Sequence, residues 1–220
     1  MSKFFMYGTS LEGIEQLMMV APNFSPRRRG IVINNYFNFE GGAKCNCYTD
    51  ICFYLYLKER DLDEIRYKDL IQDCFSKIKS YALKNRLKLF TGNFKGELFL
   101  NNAHKERFYN ELHKQDIDIN DISPRYIATL FLLTADEILW KLSEHSVRTN
   151  GFDFSQIHLK EISTDGYALY QTAKTISTGK EYISINEIAD EDLINDTTFK
   201  AIINVALITR YGADVFLITK

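Results

Sequence analysis

The chain has 220 residues, of which 45% are hydrophobic and 25% are charged, and its formal net charge is −2. These values are typical of a folded protein with one large domain or two small ones, and three prolines with no low-complexity stretch argue against long disorder. A dedicated nucleic-acid binder is usually more basic. The charge is nevertheless uneven: residues 1–100 hold 15 Lys/Arg and 11 Asp/Glu, or +4, and residues 101–220 hold 12 and 18, or −6.

The first 96 residues of the sequence predict a small α+β module. A helix should begin after Ser10 and end before Pro22, because proline disfavours helical geometry in the residue that precedes it. The β-branched and aromatic stretch 31–39, IVINNYFNF, predicts a strand or a short hairpin. A helix from Asp50 and a helical stretch over residues 67–90 follow, and glycines at 92 and 96 then break the chain. We therefore expect an N-terminal module over residues 1–96 and a second domain over residues 97–220.

The second domain is predicted to be almost entirely helical, which makes the fold class mainly α. Residues 155–163 and 165–177 read as helices, and the chain should kink or restart near Thr134. The tail 213–220 should be a strand or a docked segment. The remaining boundaries rest on local capping signals, namely Asn101 or Asn102, Ser123-Pro124, Gly179, the Ser184/Glu187 capping box and Gly212.

No secretory signal is evident in the opening residues MSKFFMYGTSLEG, which lack an apolar core and a cleavage site. The most apolar run, residues 126–133, is too short to span a bilayer, which needs about 20 residues. We therefore expect a cytoplasmic location and no membrane partner. Thiols stay reduced in that compartment, so disulfides are the less favoured use of the four cysteines.

The order of these elements resembles an uncharacterised helical family carried on plasmids, integrative elements and phages of Gram-positive bacteria. The resemblance rests on FLNNAHKERF (99–108), YIATLFLLTADEILW (126–140), and ISINEI (183–188) before a closing helix that ends in RYG. The front part is similar to the N-terminal extension of longer members, with MMVAPNFSPR (18–27), a cysteine cluster and a helix ending near NRL (85–87). The family has no assigned activity, so the resemblance implies a setting, an accessory protein of a mobile element, and no particular chemistry.

Four cysteines form the only candidate metal site. Three lie in AKCNCYTDIC and one follows on a helix; they are Cys45, Cys47, Cys52 and Cys74. Structural zinc sites commonly contain at least one pair spaced C-x2–4-C, whereas the spacing here is C-x-C-x4-C and then 21 residues to the last cysteine. The family's cluster is more regular. We favour ordinary buried thiols and no cofactor, with structural zinc as the alternative.

Basic residues form the best candidate binding surface for a partner or a nucleic-acid backbone. They are Arg27, Arg28 and Arg29 in the first loop, and Lys77, Lys79, Lys84, Arg86 and Lys88 along the helical stretch. Tyr81, Phe90 and Phe94 lie among them as potential stacking groups. The alternative is a solvated helix surface. The acidic stretch 189–196, ADEDLIND, could meet a basic partner or could simply be surface.

No catalytic constellation can be read from the sequence. The histidines at 104, 113, 145 and 158 form no metal-ligand spacing, and no phosphate-binding glycine loop or nucleophile elbow is present. The leading hypothesis is a non-enzymatic interaction protein that inhibits a host defence protein or ribonucleoprotein, in the manner of an anti-CRISPR. The second is a nucleic-acid-binding regulator that uses the basic front module, with or without zinc. An enzyme whose site assembles from distant residues is the third.

Overall fold

A computed structural model describes residues 65–92, 94 and 96–218. The predicted helix after Ser10, the strand at 31–39 and the helix from Asp50 lie outside these residues, as do most of the predicted N-terminal module and its α+β character. Over the described residues the protein is mainly α, which confirms the predicted class. None of the described helices is both long and apolar enough to cross a membrane.

The described helices are short and follow one another closely along the chain. Their bounds, in chain order, are α1 Tyr67–Cys74, α2 Tyr81–Thr91, α3 Asn102–Lys114, α4 Pro124–Ala135, α5 Glu137–Ser143, α6 Thr164–Thr178, α7 Ile185–Ala189 and α8 Asp196–Tyr211. Single 3-10 segments occupy Glu144–Ser146, Phe154–Gln156 and Gly212–Leu217. The described strands β1 (Val147–Arg148) and β2 (Gly151–Phe152) form an antiparallel hairpin that pairs Val147 with Phe152.

Helix α4 is the centre of the hydrophobic core. Every residue from Tyr126 to Ala135 is buried, so the helix is apolar on all sides, as expected of a helix enclosed by others. Helices α6 and α8 pack directly against it. The 3-10 segment Gly212–Leu217 also contacts this helix, and Val215 and Ile218 in the tail are buried. The apolar tail is therefore docked, one of the two predicted alternatives.

The predicted restart near Thr134 is confirmed at the junction of α4 and α5. Asp136 separates the two helices, and its carboxylate accepts a hydrogen bond from the backbone N–H of Leu139. A helix that ends inside a protein leaves carbonyl groups without partners. Arg107 of α3 provides hydrogen-bond donors for two such carbonyls. Its Nε donates to the carbonyl of Thr134 at 2.8 Å, and its Nη2 donates to that of Ala135 at 3.4 Å.

The five capping signals named in the sequence analysis all mark helix ends in the structure. Asn101, not Asn102, caps α3, and the Ser184/Glu187 capping box is complete. Ser123 caps α4, with proline at the first helical position. Gly212 ends α8 with a φ of +79° and a ψ of −158°, a conformation that side chains other than glycine rarely adopt.

Two predicted helices differ from the structure. The stretch 67–90 is two helices, because Ser80 caps α2 by accepting from Leu83 N–H and Ser76 donates to the carbonyl of Asp73 at the end of α1. Residues 155–163 are not a helix: a short 3-10 turn is followed by irregular chain. At the start of this segment, the side chain of Asp153 accepts hydrogen bonds from the backbone N–H and the hydroxyl of Ser155, which favours a turn over a helix.

Helices α1 and α2 pack against the C-terminal helices. The hydroxyl of Tyr67 donates to Asn204 Oδ1 of α8 at 2.6 Å, and Tyr211 donates to Asp73 Oδ2 at 2.6 Å. Residues 65–92 thus share one hydrophobic core with residues 97–218. Since the rest of the predicted N-terminal module lies outside the described residues, the domain boundary at residue 96 stays a prediction.

Candidate functional site

Four of the five lysine and arginine positions predicted along residues 77–88 lie on the surface. Lys77 and Lys79 are exposed in the connection between α1 and α2, and Lys84 and Lys88 are exposed on α2 itself. The two helical lysines are four residues apart and therefore project from the same side of the helix. The arginines predicted at 27, 28 and 29 lie outside the described residues.

Helix α2 holds these lysines in place by burying its opposite side. Leu83 and Leu87 are 2% and 5% exposed, and Phe90 is half-buried against the aromatic core. With Arg86 they recur at the spacing of one helix face. The lysines at 84 and 88 flank this buried stripe on one side, next to α1.

The side of α2 next to α1 carries a small groove of about 200 Å³. We call it the lysine-rimmed groove. Apolar side chains form most of its walls, namely Ile71, Phe75 and Leu87. The polar lining residues are Lys68, Gln72, Lys84, Lys88 and Thr91.

The three lysines of this groove have no anionic partner among the described residues. Lys68, Lys84 and Lys88 are all exposed, and their ammonium groups make neither a hydrogen bond nor an ion pair with any residue that the structure describes. No carboxylate lines the groove. Three like charges around an apolar depression produce a local positive potential that favours an anionic partner.

Arg86 differs from the neighbouring lysines because its side chain turns into the protein. The residue is 4% exposed, and its guanidinium lies 4.1 Å from the centre of the Phe199 ring. It donates from Nη1 to the carbonyls of Ile188 and Asp190 at 3.2 and 3.1 Å, and from Nη2 to the carbonyl of Ile194. Arg86 therefore joins α2 to α7 and to the loop between α7 and α8.

The same guanidinium reaches the acidic stretch at residues 189–196. Its Nη2 lies 3.2 Å from Asp196 Oδ1, although that carboxylate is 93% exposed and contributes little as an ion pair. Asp190, Glu191 and Asp192 are exposed. Arg86 thus holds the backbone of the acidic turn and leaves its carboxylates in solvent.

A larger cavity of about 660 Å³ lies beside Arg86. Its walls combine aromatic and aliphatic side chains with charges of both signs, namely Leu89, Phe90, Phe94, Leu100, Glu191, Asp196, Thr197, Phe199 and Lys200. The charges of Arg86 and Lys200 are balanced by those of Glu191 and Asp196. The lining therefore favours no particular class of ligand by charge.

Only one of the three aromatic residues proposed as stacking groups is available at the surface. Tyr81 is 77% exposed. Phe94 stacks on Tyr67 with ring centres 3.8 Å apart, and Phe90 packs edge-on against Phe199 at 5.7 Å. Phe90 and Phe94 therefore contribute to the internal aromatic packing that fixes α2.

Cys74 is the one predicted zinc ligand within the described residues; Cys45, Cys47 and Cys52 lie outside them. Burial raises the pKa of the Cys74 thiol to about 12, with nearby Asp73 also raising it and Arg210 lowering it. The neutral thiol packs against the hydrophobic core. Within residues 65–218 as described, no group of three or more potential ligands could hold a metal ion.

His104 is a buried structural residue. Its Nδ1 accepts from the backbone N–H of Leu100 at 3.2 Å, and its Nε2 donates to the carbonyl of Phe131 at 2.9 Å. Burial lowers the pKa of the ring to about 3, because the charged form would lose its hydration and Nδ1 is already used as an acceptor. His113, His145 and His158 are exposed.

Comparison of the chain with known protein families, with curated proteins and with solved structures gives no match in any of the three.

Sequence reasoning identified the basic character of this region but misjudged its composition. The predicted binding surface included Arg86, although the spacing of Leu83, Leu87 and Phe90 places residue 86 on the buried stripe of α2. It left out Lys68, which precedes Ile71 by one helical turn and so flanks the apolar side of α1. The pairing of α1 with α2, which creates the groove, depends on a break at residues 75–80 that the periodicity did not indicate.

Proposed function

We propose that the protein is a non-enzymatic accessory protein of a mobile element that binds and inhibits a host defence protein or ribonucleoprotein in the cytoplasm. The observation that carries the proposal is the cluster of exposed lysines at 68, 84 and 88, whose charges have no partner among the described residues. The mobile-element setting comes from the resemblance to the helical family. A CRISPR nuclease is the concrete target that we propose.

The buried side of α2 supports a binding role for its exposed side. Arg86 and the aromatic packing of Phe90 fix the helix to the core, so Lys84 and Lys88 are presented on a rigid element. A rigid surface loses little conformational entropy when it binds, and more of the interaction energy is retained as affinity. Exposed unpaired lysines also accelerate the encounter with an anionic surface.

The test is a DNA-cleavage assay with a purified CRISPR nuclease loaded with its guide RNA. We expect the full chain to slow cleavage, and the double substitution Lys84→Glu, Lys88→Glu to remove the effect. The matched control is Lys160→Glu, Lys180→Glu, which makes the same change in net charge at exposed lysines elsewhere. Unchanged cleavage with the wild-type chain, or equal loss in both variants, would contradict the proposal.

A second candidate function is a nucleic-acid-binding regulator, which the exposure of Tyr81 favours. This ring is 77% exposed, and Lys77, Lys79 and Lys84 lie close to it in sequence. Aromatic stacking on a base contributes roughly 1–3 kcal/mol, and phosphate contacts make binding depend on salt. A salt-sensitive shift of single-stranded DNA that weakens in Tyr81→Ala would support this candidate; no shift at low salt would remove it.

A further inference from the structure

The dimensions of the lysine-rimmed groove indicate what could occupy it. Its volume is about 200 Å³, below the roughly 300–1,000 Å³ of pockets that enclose small-molecule ligands. The space suits an inserted side chain better than a free metabolite. Because Ile71, Phe75 and Leu87 form most of the groove walls, the side chain that fills the groove should be apolar.

The rim indicates the charge of the segment that carries this side chain. Lys68 lies on α1, and Lys84 and Lys88 lie on α2, so lysine side chains line the groove from both helices. An incoming carboxylate would meet a lysine whichever side of the anchor it occupied. A like-charged or neutral segment would leave the three charges without partners.

We propose that the lysine-rimmed groove docks an acidic helical segment of a protein partner, which inserts an apolar side chain between α1 and α2 and pairs its carboxylates with Lys68, Lys84 and Lys88. The proposal rests on the proposed function and specifies how the partner is recognised. Binding of a helical segment through an apolar side chain that enters a groove is a recurring mode of peptide recognition.

An acidic protein segment fits the groove better than a nucleic-acid backbone does. A phosphate backbone would satisfy the lysines but would place no apolar group on Ile71, Phe75 and Leu87. Exposed aromatic rings, on which bases stack, are absent from the groove lining, where Phe75 is half-buried. The combination of lysines with an apolar lining therefore favours a segment that carries both carboxylates and apolar side chains.

The experiment is a fluorescence-anisotropy titration of the full chain with three labelled probes. The first is a peptide about four helical turns long, rich in glutamate, with leucines repeating at i, i+4 on one face. The second replaces its leucines by serine at the same net charge. The third is a single-stranded DNA of equal charge.

We expect the leucine peptide to bind at least about tenfold more tightly than the serine peptide or the DNA, a difference of roughly 1.4 kcal/mol. Lys84→Glu, Lys88→Glu should weaken that binding by about tenfold or more, and Lys160→Glu, Lys180→Glu should leave it unchanged. Equal binding of all three probes would overturn the proposal, because the surface would then recognise charge alone. Absence of binding by the leucine peptide would overturn it as well.

A second copy of the chain is the alternative occupant, since its turn at residues 190–193 combines exposed carboxylates with Leu193, which is 43% exposed. Sedimentation of the wild-type chain alone tests this. A concentration-dependent mass that Lys84→Glu, Lys88→Glu abolishes would overturn the proposal in favour of self-association; a constant monomer mass would support it.

The outcome is separable from that of the proposed function. If the groove variant loses inhibition of the nuclease but no acidic peptide binds, the function stands and the groove assignment falls. If the leucine peptide binds selectively but no nuclease is inhibited, the groove assignment stands and the function falls.

Discussion

Replacing Arg86 by methionine tests whether this side chain is part of the fold. Methionine has an unbranched apolar side chain like the stem of arginine, but it has no hydrogen-bond donor. The carbonyl of Ile194 is buried and would lose its partner at a cost of about 1–3 kcal/mol, and the partly buried carbonyls of Ile188 and Asp190 would add roughly 0.5–1.5 kcal/mol each. The exposed Asp196 carboxylate adds almost nothing.

We therefore expect Arg86→Met to reduce the free energy of unfolding by about 2–6 kcal/mol, the sum of these three losses. Urea unfolding followed by the fluorescence of Trp140 provides the measurement, because this residue is the only tryptophan in the chain and is 9% exposed. Lys84→Met is the matched control, since it makes the same replacement at an exposed position of α2 and should change stability by at most about 0.5 kcal/mol. A loss below about 1 kcal/mol in Arg86→Met would refute the reasoning.

Three further predictions concern His104, Gly212 and the lysine-rimmed groove. The pKa of His104 in the folded protein is about 3, below its ordinary value of 6.5, so the unfolded chain binds a proton at a higher pH than the folded protein does. The free energy of unfolding should therefore fall as the pH drops from about 6.5 toward 3, by about 2 kcal/mol between pH 7 and 5. The free energy of unfolding should be measured for the wild type and for His104→Asn across this pH range. The difference between the two should decrease as the pH falls, and a difference that does not change with pH would contradict the prediction. Gly212→Ala should cost about 1–3 kcal/mol in urea unfolding because of the φ of +79°, whereas an unchanged midpoint would mean that the turn relaxes. Lys84→Glu, Lys88→Glu should unfold at nearly the wild-type urea concentration, and a large shift would show that these lysines stabilise the fold.

Capping signals made the helix ends predictable because they act within a few residues. Asn101 and Ser123 each accept a hydrogen bond from the backbone three residues later, and such contacts are visible as a local pattern. The break between α1 and α2 was harder to predict, since the 3.6-residue period of apolar positions runs through it. Ser80 was the available signal, a capping residue three positions before Leu83.

The functional region could be predicted only in part, because its character depends on contacts between distant segments. The stripe of Leu83 and Leu87 indicated that position 86 faces inward. The acceptors for its guanidinium, however, lie 102 to 110 residues away, and no local pattern identifies them. Likewise, Lys68 joins Lys84 and Lys88 only because α1 folds back against α2.

The contribution of His104 also depends on tertiary structure. The sequence places His104 near the start of α3. Its low pKa, however, arises from burial, and its ring is hydrogen-bonded to the backbone of Leu100 and Phe131, which no local pattern indicates. With Arg107 it ties α3 to the end of α4. His104 and Arg107 therefore stabilise the central helix of the core.

The most direct test of the account is hydrogen exchange of the chain, free and mixed with the purified CRISPR nuclease and its guide RNA. We expect binding to slow exchange in peptides that cover residues 67–91, which contain α1, α2 and the lysine-rimmed groove, and to leave residues 155–180 unchanged. Protection confined to residues outside 67–91, or no protection anywhere, would contradict the claim that this face of the protein binds the partner.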